Sequence, residues 1–321
     1  MDNPDIFTLA ETIARDHQTT LAALENRRRS HWLFILAASL ALTAPGTMAV
    51  MVVAAHYLQL SMPVSSAALL AFALIFALTF EIMNESYKRK AKHELLYVIA
   101  KALKLNYRRG GFITLGDLYD HHALPPYAQS RSEEGFSRRE NGIEYQFQDF
   151  RISAVARLHW YDYRSLSGTG GFYGIAIRIG LGRRLYGHTV LMPNFRANGF
   201  LKRMINEKFQ RFEDINLVFS KFKKRYTILS TDQVEARYVF DPAMMERIMA
   251  MDELLRSNWL EISFRGREMV VIAGQVRNHF EVGHLLNPVN VLTIEKALLQ
   301  LDRMKTAIRT LGLNPHTGLG A

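Results

Sequence analysis

Two short stretches gather the residue types that bind metals or move protons. "GDLYDHH" brings Asp117, Asp120, His121 and His122 together, and "NHFEVGH" brings His279, Glu281 and His284. Metal ligands on a helix stand three or four positions apart, and the zinc-protease pattern His-Glu-x-x-His is absent. The second set, spaced i, i+2, i+5 beside a glycine, suits no simple element. Two readings stand for each cluster, a metal or acid–base site and ordinary surface polarity, and the spacing favours the second. His159 and Asp162 in "LHWYDY" read as strand residues among aromatics. No Gly-x-Ser-x-Gly elbow occurs. The chain has no cysteine, which excludes disulfides, thiolate metal sites and a cysteine nucleophile.

Three further stretches pose a choice between chemistry and construction. "SLSGTGGFYG" is glycine-rich like a phosphate cradle, but Gly168, Gly170, Gly171 and Gly174 have neither the Walker nor the dinucleotide spacing. No lysine follows, and "FYGIAIRIGL" alternates as a strand, so a strand-to-strand turn is expected. The sequence points to no cofactor. "KFKKRY", Lys221 to Tyr226, could contact phosphate or nucleic acid, or form a solvated or membrane-facing strand edge, and the edge is the expected role. "STDQVEARYVFDP", read as a strand, puts Asp232, Val234, Ala236 and Tyr238 on one face. Glu235 and Arg237 then share the other face as an ion pair. This polar network orients the strand or lines a ligand site; the first role needs fewer assumptions. Asp241 followed by Pro242 is a helix cap.

The elements that must position these residues begin with an uncharged run. From Trp32 through Phe80 no Asp, Glu, Lys or Arg occurs over 49 residues. One helix of that length would be roughly 74 Å long, against a hydrocarbon core of about 30 Å, so two spans are expected. They fall near 32–56 and 64–83, divided at "HYLQLSMP". Arg27, Arg28 and Arg29 precede the first span and Lys88, Arg89, Lys90 and Lys92 follow the second, so the positive-inside bias puts both termini in the cytoplasm. Much of the net charge of +10 then meets anionic lipid head groups, which disfavours nucleic acid as partner. Pro45-Gly46 is read as a kink, its freed carbonyl helped by Thr43 and Thr47. Ala37, Ala38, Ala41 and Ala44 facing Ala67, Ala68, Ala71 and Ala73 would let the spans approach, and a homo-oligomer through the same faces is compatible with this composition.

Residues 1–31 are expected as a cytoplasmic amphipathic helix, 32–83 as the hairpin and 84–321 as a cytoplasmic α+β domain. Helical periodicity runs on after the second span to a stop at Gly110-Gly111, and 112–142 reads as a polar surface excursion. Antiparallel strands follow from Ile143 to Pro193, then a helix near 197–209, a helix after Asp241, a hairpin turning at Arg265-Gly266, and a terminal helix closed by Gly312. Strands and helices without repeated βαβ alternation argue for a mostly antiparallel sheet with flanking helices.

"YRSLSGTGG", "FYGIAIRI", "LYGHTVLMPN", "FSKFKKRYTILSTDQVEARYVFDPAMMERIM" and "LEISFRGREMVVIAG" together resemble the bacterial membrane proteins grouped as domain-of-unknown-function family 3137. The resemblance extends over nearly the whole chain, with "STDQVEARYVFDP" its most telling segment. It implies placement in the bacterial inner membrane and carries over no catalytic residue. The expected function is therefore an anchored interaction or regulatory module that binds a protein partner or lipid head groups. A membrane-associated enzyme is the alternative, and its structural sign would be a pocket gathering these histidines with acids.

Overall fold

The computed structural model describes residues 4–57, 63–121, 129–153, 171–194, 212–216, 219–275, 280 and 282–313. The glycine turn at 165–170, the helix near 197–209, and His122, His159, Asp162, His279 and Glu281 lie outside them. The chain divides into two compact units, Met1–Ile99 with Glu281–Leu298 and Ala100–Phe280 with Leu299–Ala321.

The first unit is built on helices α1 (Pro4–Asp16), α2 (Gln18–Tyr57) and α3 (Val64–Ala102). Helices α2 and α3 are long and apolar enough to cross a membrane. They run antiparallel: Trp32 meets Phe76 and Phe80, and further along α2 a Cβ on Gly46 would stand 2.9 Å from Ile75 Cδ1 and 3.3 Å from Ala71 Cβ. Gly46 is thus the close-approach point, where a larger residue would force the helices apart. Ala67 and Ala71 are buried as small-residue packing requires, but within the uncharged run of α2 the buried positions are Ile35, Ser39 and Ala54, while Ala37, Ala41 and Ala44 are exposed. The expected alanine face is therefore corrected. The stripe facing α3 is set by Gly46, whose missing side chain admits the partner helix. Thr43 and Thr47 do not relieve Pro45 either: their hydroxyls donate to the carbonyls of Ser39 (2.6 Å) and Thr43 (2.7 Å).

Segment 282–290 is fastened to the charged end of this hairpin. The Leu285 carbonyl accepts from Arg28 Nη1 and Trp32 Nε1, both at 3.0 Å, and its N–H donates to Asn84 Oδ1 at 3.2 Å. Leu285 packs with Leu24, Ile35, Tyr87 and Ala91. Gly283 has φ +86°, and a Cβ there would stand 2.7 Å from Ala91, so both conformation and space require glycine. Lys92, one of the basic residues that follow the second span, is buried.

Helix α3 ends at Ala102, short of Gly110-Gly111, because Lys104 adopts φ +56° and Leu105 N–H returns to the Ala100 carbonyl at 2.8 Å, a Schellman closure without glycine. The second unit then builds a seven-stranded antiparallel sheet. Strands β1 (Asn106–Arg109), β2 (Gln129–Glu140) and β3 (Ile143–Ser153) pair in order, with helix α4 (Leu115–His121) between β1 and β2. The expected surface excursion is thereby corrected. Asn141-Gly142, both at positive φ, closes a β2–β3 hairpin, and Thr114 with Asp117 forms a capping box on α4.

Strand β4 (Gly171–Pro193) unites the two alternating runs, and β7 (Trp259–Gln275) pairs with it throughout. A straight 17-residue strand would span about 55 Å. Yet Asn258 N–H donates to the Gly274 carbonyl at 2.9 Å, and Gln275 Nε2 to the Leu255 carbonyl at 2.9 Å, so β7 folds back about Gly266 (φ +61°). β4 follows it, with the register shifting between Gly180, Leu185 and His188, so that residues 181–187 wrap the Gly266 reversal. The arms of β4 pair with β3 and with β6 (Tyr226–Ser230), which carries the short edge strand β5 (Glu213–Asp214). Helix α5 (Ser220–Lys223) precedes β6, so most of "KFKKRY" is a helical turn rather than a strand edge. Helices α6 (Gln233–Val239), α7 (Pro242–Leu255) and α8 (Val291–Thr310) complete the α+β architecture.

On α7 the buried Asp252 accepts from Arg225 Nη2 at 2.8 Å, from the Tyr226 hydroxyl and from Ser257 Oγ. Burial and then this carboxylate push the Tyr226 phenol well above its ordinary range. Asp252→Ala strands three donors and is expected to cost about 3 kcal/mol, against about 1 kcal/mol for Tyr226→Phe, read as the loss of unfolding free energy in detergent.

Candidate interaction surface

Within residues 230–242 the chain forms the short helix α6 (Gln233–Val239) rather than the expected strand. Asp232 is extended and accepts from Val234 N and Glu235 N, both at 2.9 Å, which satisfies the first N–H groups of α6. Asp241 caps α7 in the same way, accepting from Met244 N at 2.6 Å with Pro242 at the first helical position. On a helix, positions two apart do not face each other, so the expected Glu235–Arg237 pair is corrected. Glu235 instead turns to the β4 reversal, where its carboxylate accepts from Tyr186 N at 3.1 Å and Gly187 N at 2.7 Å. Thr231 Oγ1 accepts from His188 N at 2.8 Å, and Thr231 N–H donates to the His188 carbonyl at 3.1 Å. A Cβ on Gly187 would stand 2.7 Å from Asp232 Cβ, which explains the glycine in "LYGH".

The clamp presents a basic and aromatic tip to solvent. Arg183, Arg184, Arg265 and Arg267 are exposed along the two nested reversals, and Tyr186 is 86% exposed. Val234, Arg237 and Tyr238 share the outward face of α6, at 81% exposure for Val234 and 53% for Tyr238. Arg183 lies over the Tyr238 ring at 5.0 Å, a cation–π contact joining strand tip and helix. Arg267 Nη1 donates to the Gly182 carbonyl at 3.4 Å and Arg265 Nη1 to that of Asp120 at 3.3 Å. Tyrosine and arginine are the residue types that dominate binding hot spots. Sequence reasoning missed Arg183, Tyr186 and Gly187, because only the reversal of β4 brings them beside α6.

Beneath the tip lies a buried polar network. His188 Nε2 is 2.8 Å from Ser263 Oγ and 3.2 Å from the His121 carbonyl. Ser263 Oγ is 3.4 Å from His121 Nδ1, and His121 Nε2 stands 3.3 Å from a Glu268 carboxylate oxygen. Ser263, Thr189 and Ser230 are buried, and the last two hydrogen-bond each other at 2.8 Å. A serine between two imidazoles has the parts of a nucleophile, but here it is enclosed in protein. The arrangement ties α4 to β7 and β4. Asp117 pairs with Arg178 at 3.6 Å; burial opposes its ionisation, but hydrogen bonds from Thr114 together with Arg178 hold the carboxyl below its usual range. Asp120 is exposed. His284 belongs to the other unit, where its Nε2 lies 3.2 Å from Asn84 Nδ2 and its Nδ1 accepts from Leu286 N at 3.1 Å. Among the described residues, no group of three or more His, Asp and Glu is placed to hold a metal ion.

Two expectations follow. Burial pushes the His121 imidazole below its ordinary 6.5, with Glu268 opposing. The unfolded chain therefore binds a proton more readily, so folding stability is full above the unfolded pKa and falls as pH drops below it. His121→Gln flattens that acid-side loss of unfolding free energy between pH 7.5 and pH 5.5, taken as about one unit either side of an ordinary histidine. Glu235→Ala frees two N–H groups at the tip, and trypsin then cuts after Arg183 and Arg184 about tenfold faster, followed by gel analysis.

Known proteins add little beyond a family. No curated protein is significantly similar to the chain. Among solved structures, the crystal structure of the mycobacterial trehalose monomycolate transport factor A, TtfA, is 9% identical, with 69% of this chain and 94% of that one covered and a TM-score of 0.35. Similarity that low defines neither a shared fold nor a shared role. The resemblance seen in sequence is narrower than the whole chain: it takes in Ser230 to Pro242 and the tip, and leaves out α1, α2 and α3. Over residues 171–313 the chain matches the family described as "Protein of unknown function (DUF3137)".

Proposed function

We propose that this chain is a binding module anchored in the bacterial inner membrane by the α2–α3 hairpin, with both termini in the cytoplasm, and that the arginine–tyrosine tip is where its partner docks. The partner is a protein or a lipid surface of anionic head groups. The observation that carries the anchoring is exposure. In the most apolar windows of α2 and α3 only 17% and 11% of residues are buried, so most of their leucines and methionines are left uncovered among the described residues. A core helix of a soluble protein buries such a face; here a bilayer supplies the apolar surroundings. Arg27, Arg29, Arg89 and Lys90 are exposed at the charged ends of the two helices, the distribution that holds such ends on the cytoplasmic side. The uncovered faces of both helices also leave room for a homo-oligomer. The enzyme alternative is weakened by the burial of His121, His188 and Ser263, which hydrogen-bond among themselves.

Two measurements test this reading together. A reporter fused after Ala321 is active only if cytoplasmic, in a chain that stays with membranes after alkaline washing; a periplasmic signal or release of the chain overturns the anchoring. A photo-crosslinking residue in place of Val234 yields a discrete protein or lipid adduct that Arg183→Glu with Arg184→Glu abolishes. No adduct across growth conditions overturns the binding surface.

A further inference from the structure

We infer that the tip formed by the β4 and β7 reversals and α6 is a second membrane contact, one that docks on an anionic phospholipid surface. This deepens the reading of a tethered binding module and rests on it.

The exposed charged groups at the tip are mostly arginine. Arg183, Arg184, Arg237, Arg265 and Arg267 are all exposed. Carboxylates stand near them. Asp232 is committed to the N-terminus of α6, Glu235 to Tyr186 N and Gly187 N, and Glu268 to His121, while Asp120 is exposed. Hydrogen bonding leaves these carboxylates charged, so it is exposure that favours the arginines: all five are exposed, while Asp232, Glu235 and Glu268 are half-buried. Arginine suits phosphate because its planar fork donates two parallel hydrogen bonds.

The apolar component separates a lipid surface from an acidic peptide. Tyr186 crowns the β4 reversal at 86% exposure, and Val234 and Tyr238 project from the adjoining helix. Tyrosine rings settle at the head-group level of a bilayer, with the ring in the apolar zone and the hydroxyl in water. Exposed aromatic side chains set among arginines match an anionic sheet of lipid, which offers head-group phosphates and an apolar zone beneath them. The tip is also held rigid: Glu235 and Thr231 fasten the β4 backbone, and Arg183 is laid over Tyr238, so little side-chain and loop freedom is lost on docking. Membrane tethering removes most of the remaining entropic cost, since a linked surface meets its target at high effective concentration. Each arginine brought to an anionic surface strengthens binding about fivefold.

The absence of cysteine makes the test direct. The full chain carrying Tyr186→Cys, labelled with nitrobenzoxadiazole, is reconstituted into phosphatidylcholine nanodiscs with and without phosphatidylglycerol. On the anionic discs the fluorophore shifts to the blue and its acrylamide quenching falls. High salt reverses both, and Arg183→Glu with Arg184→Glu abolishes them. Arg183→Gln with Arg184→Gln, which adds no repulsion, gives a smaller effect. A label at Glu246→Cys, exposed on α7, does not respond. A fluorophore that stays water-accessible on anionic discs, or shifts equally on neutral ones, overturns the inference. So does burial seen only in native membranes, which assigns the tip to a protein partner. Disc incorporation, read by size-exclusion chromatography, reports the hairpin anchor separately: incorporated chains with an unresponsive tip refute the second contact alone, and chains that fail to incorporate refute the anchor.

Discussion

A strand that reverses leaves backbone N–H groups outside the ladder, and those groups must find acceptors or water. In the sheet unit this constraint falls on residues 181–187 of β4, which wrap the turn of β7, and the carboxylate of Glu235 answers it by accepting from Tyr186 and Gly187. The residues around that bond follow from it. Asp232 must cap α6 so that Glu235 is aimed at the strand, Gly187 must lack a side chain so that the helix start can approach, and Thr231 must continue the bonding to His188. The side chains left on the outside of the clamp, arginines and tyrosines, form the surface available to a partner.

The helical unit solves a similar problem with a single carbonyl. Segment 282–290 lies more than two hundred positions from Arg28 and Trp32, yet the Leu285 carbonyl accepts from both. Asn84 takes the N–H of the same residue. Such bonds at the end of an apolar hairpin hold the backbone of a loop that has no strand or helix of its own. Packing with Leu24, Tyr87 and Ala91 then excludes water from them. Gly46 does the corresponding work at the other end, where contact between α2 and α3 is limited by side-chain volume rather than by hydrogen bonding.

Much of the architecture was legible in local signals. The uncharged run pointed to two long helices because its length is about twice what one membrane-crossing helix needs; Asp241-Pro242 and Gly312 marked helix ends by their chemistry; and alternation identified β3 and both arms of β4 and β7. The misreadings have definite causes. Residues 129–140 are polar and charged, so their pattern reads as loop although Asn141-Gly142 signals the hairpin that makes them a strand. "DQVEARYV" alternates in type over a span too short for period to separate strand from helix, and the capping by Asp232 decides it. The small-residue stripe of α2 was assigned to the wrong face because alanine density carries no direction; only the partner helix chooses one.

By itself, then, the sequence determined composition-level facts: two apolar helices with basic ends, an α+β sheet domain with no thiol chemistry, and the identity of most elements. These depend on solvation and local periodicity, which act through residues near one another in the chain. The tertiary structure alone decided that Glu235 serves Tyr186 and Gly187 rather than Arg237, that His121 joins His188 and Ser263, and that five arginines and two exposed tyrosines share one tip. Each of those pairings spans tens to well over a hundred positions. They exist only because two strands fold back together, and where a strand folds back is settled by the packing of the whole sheet.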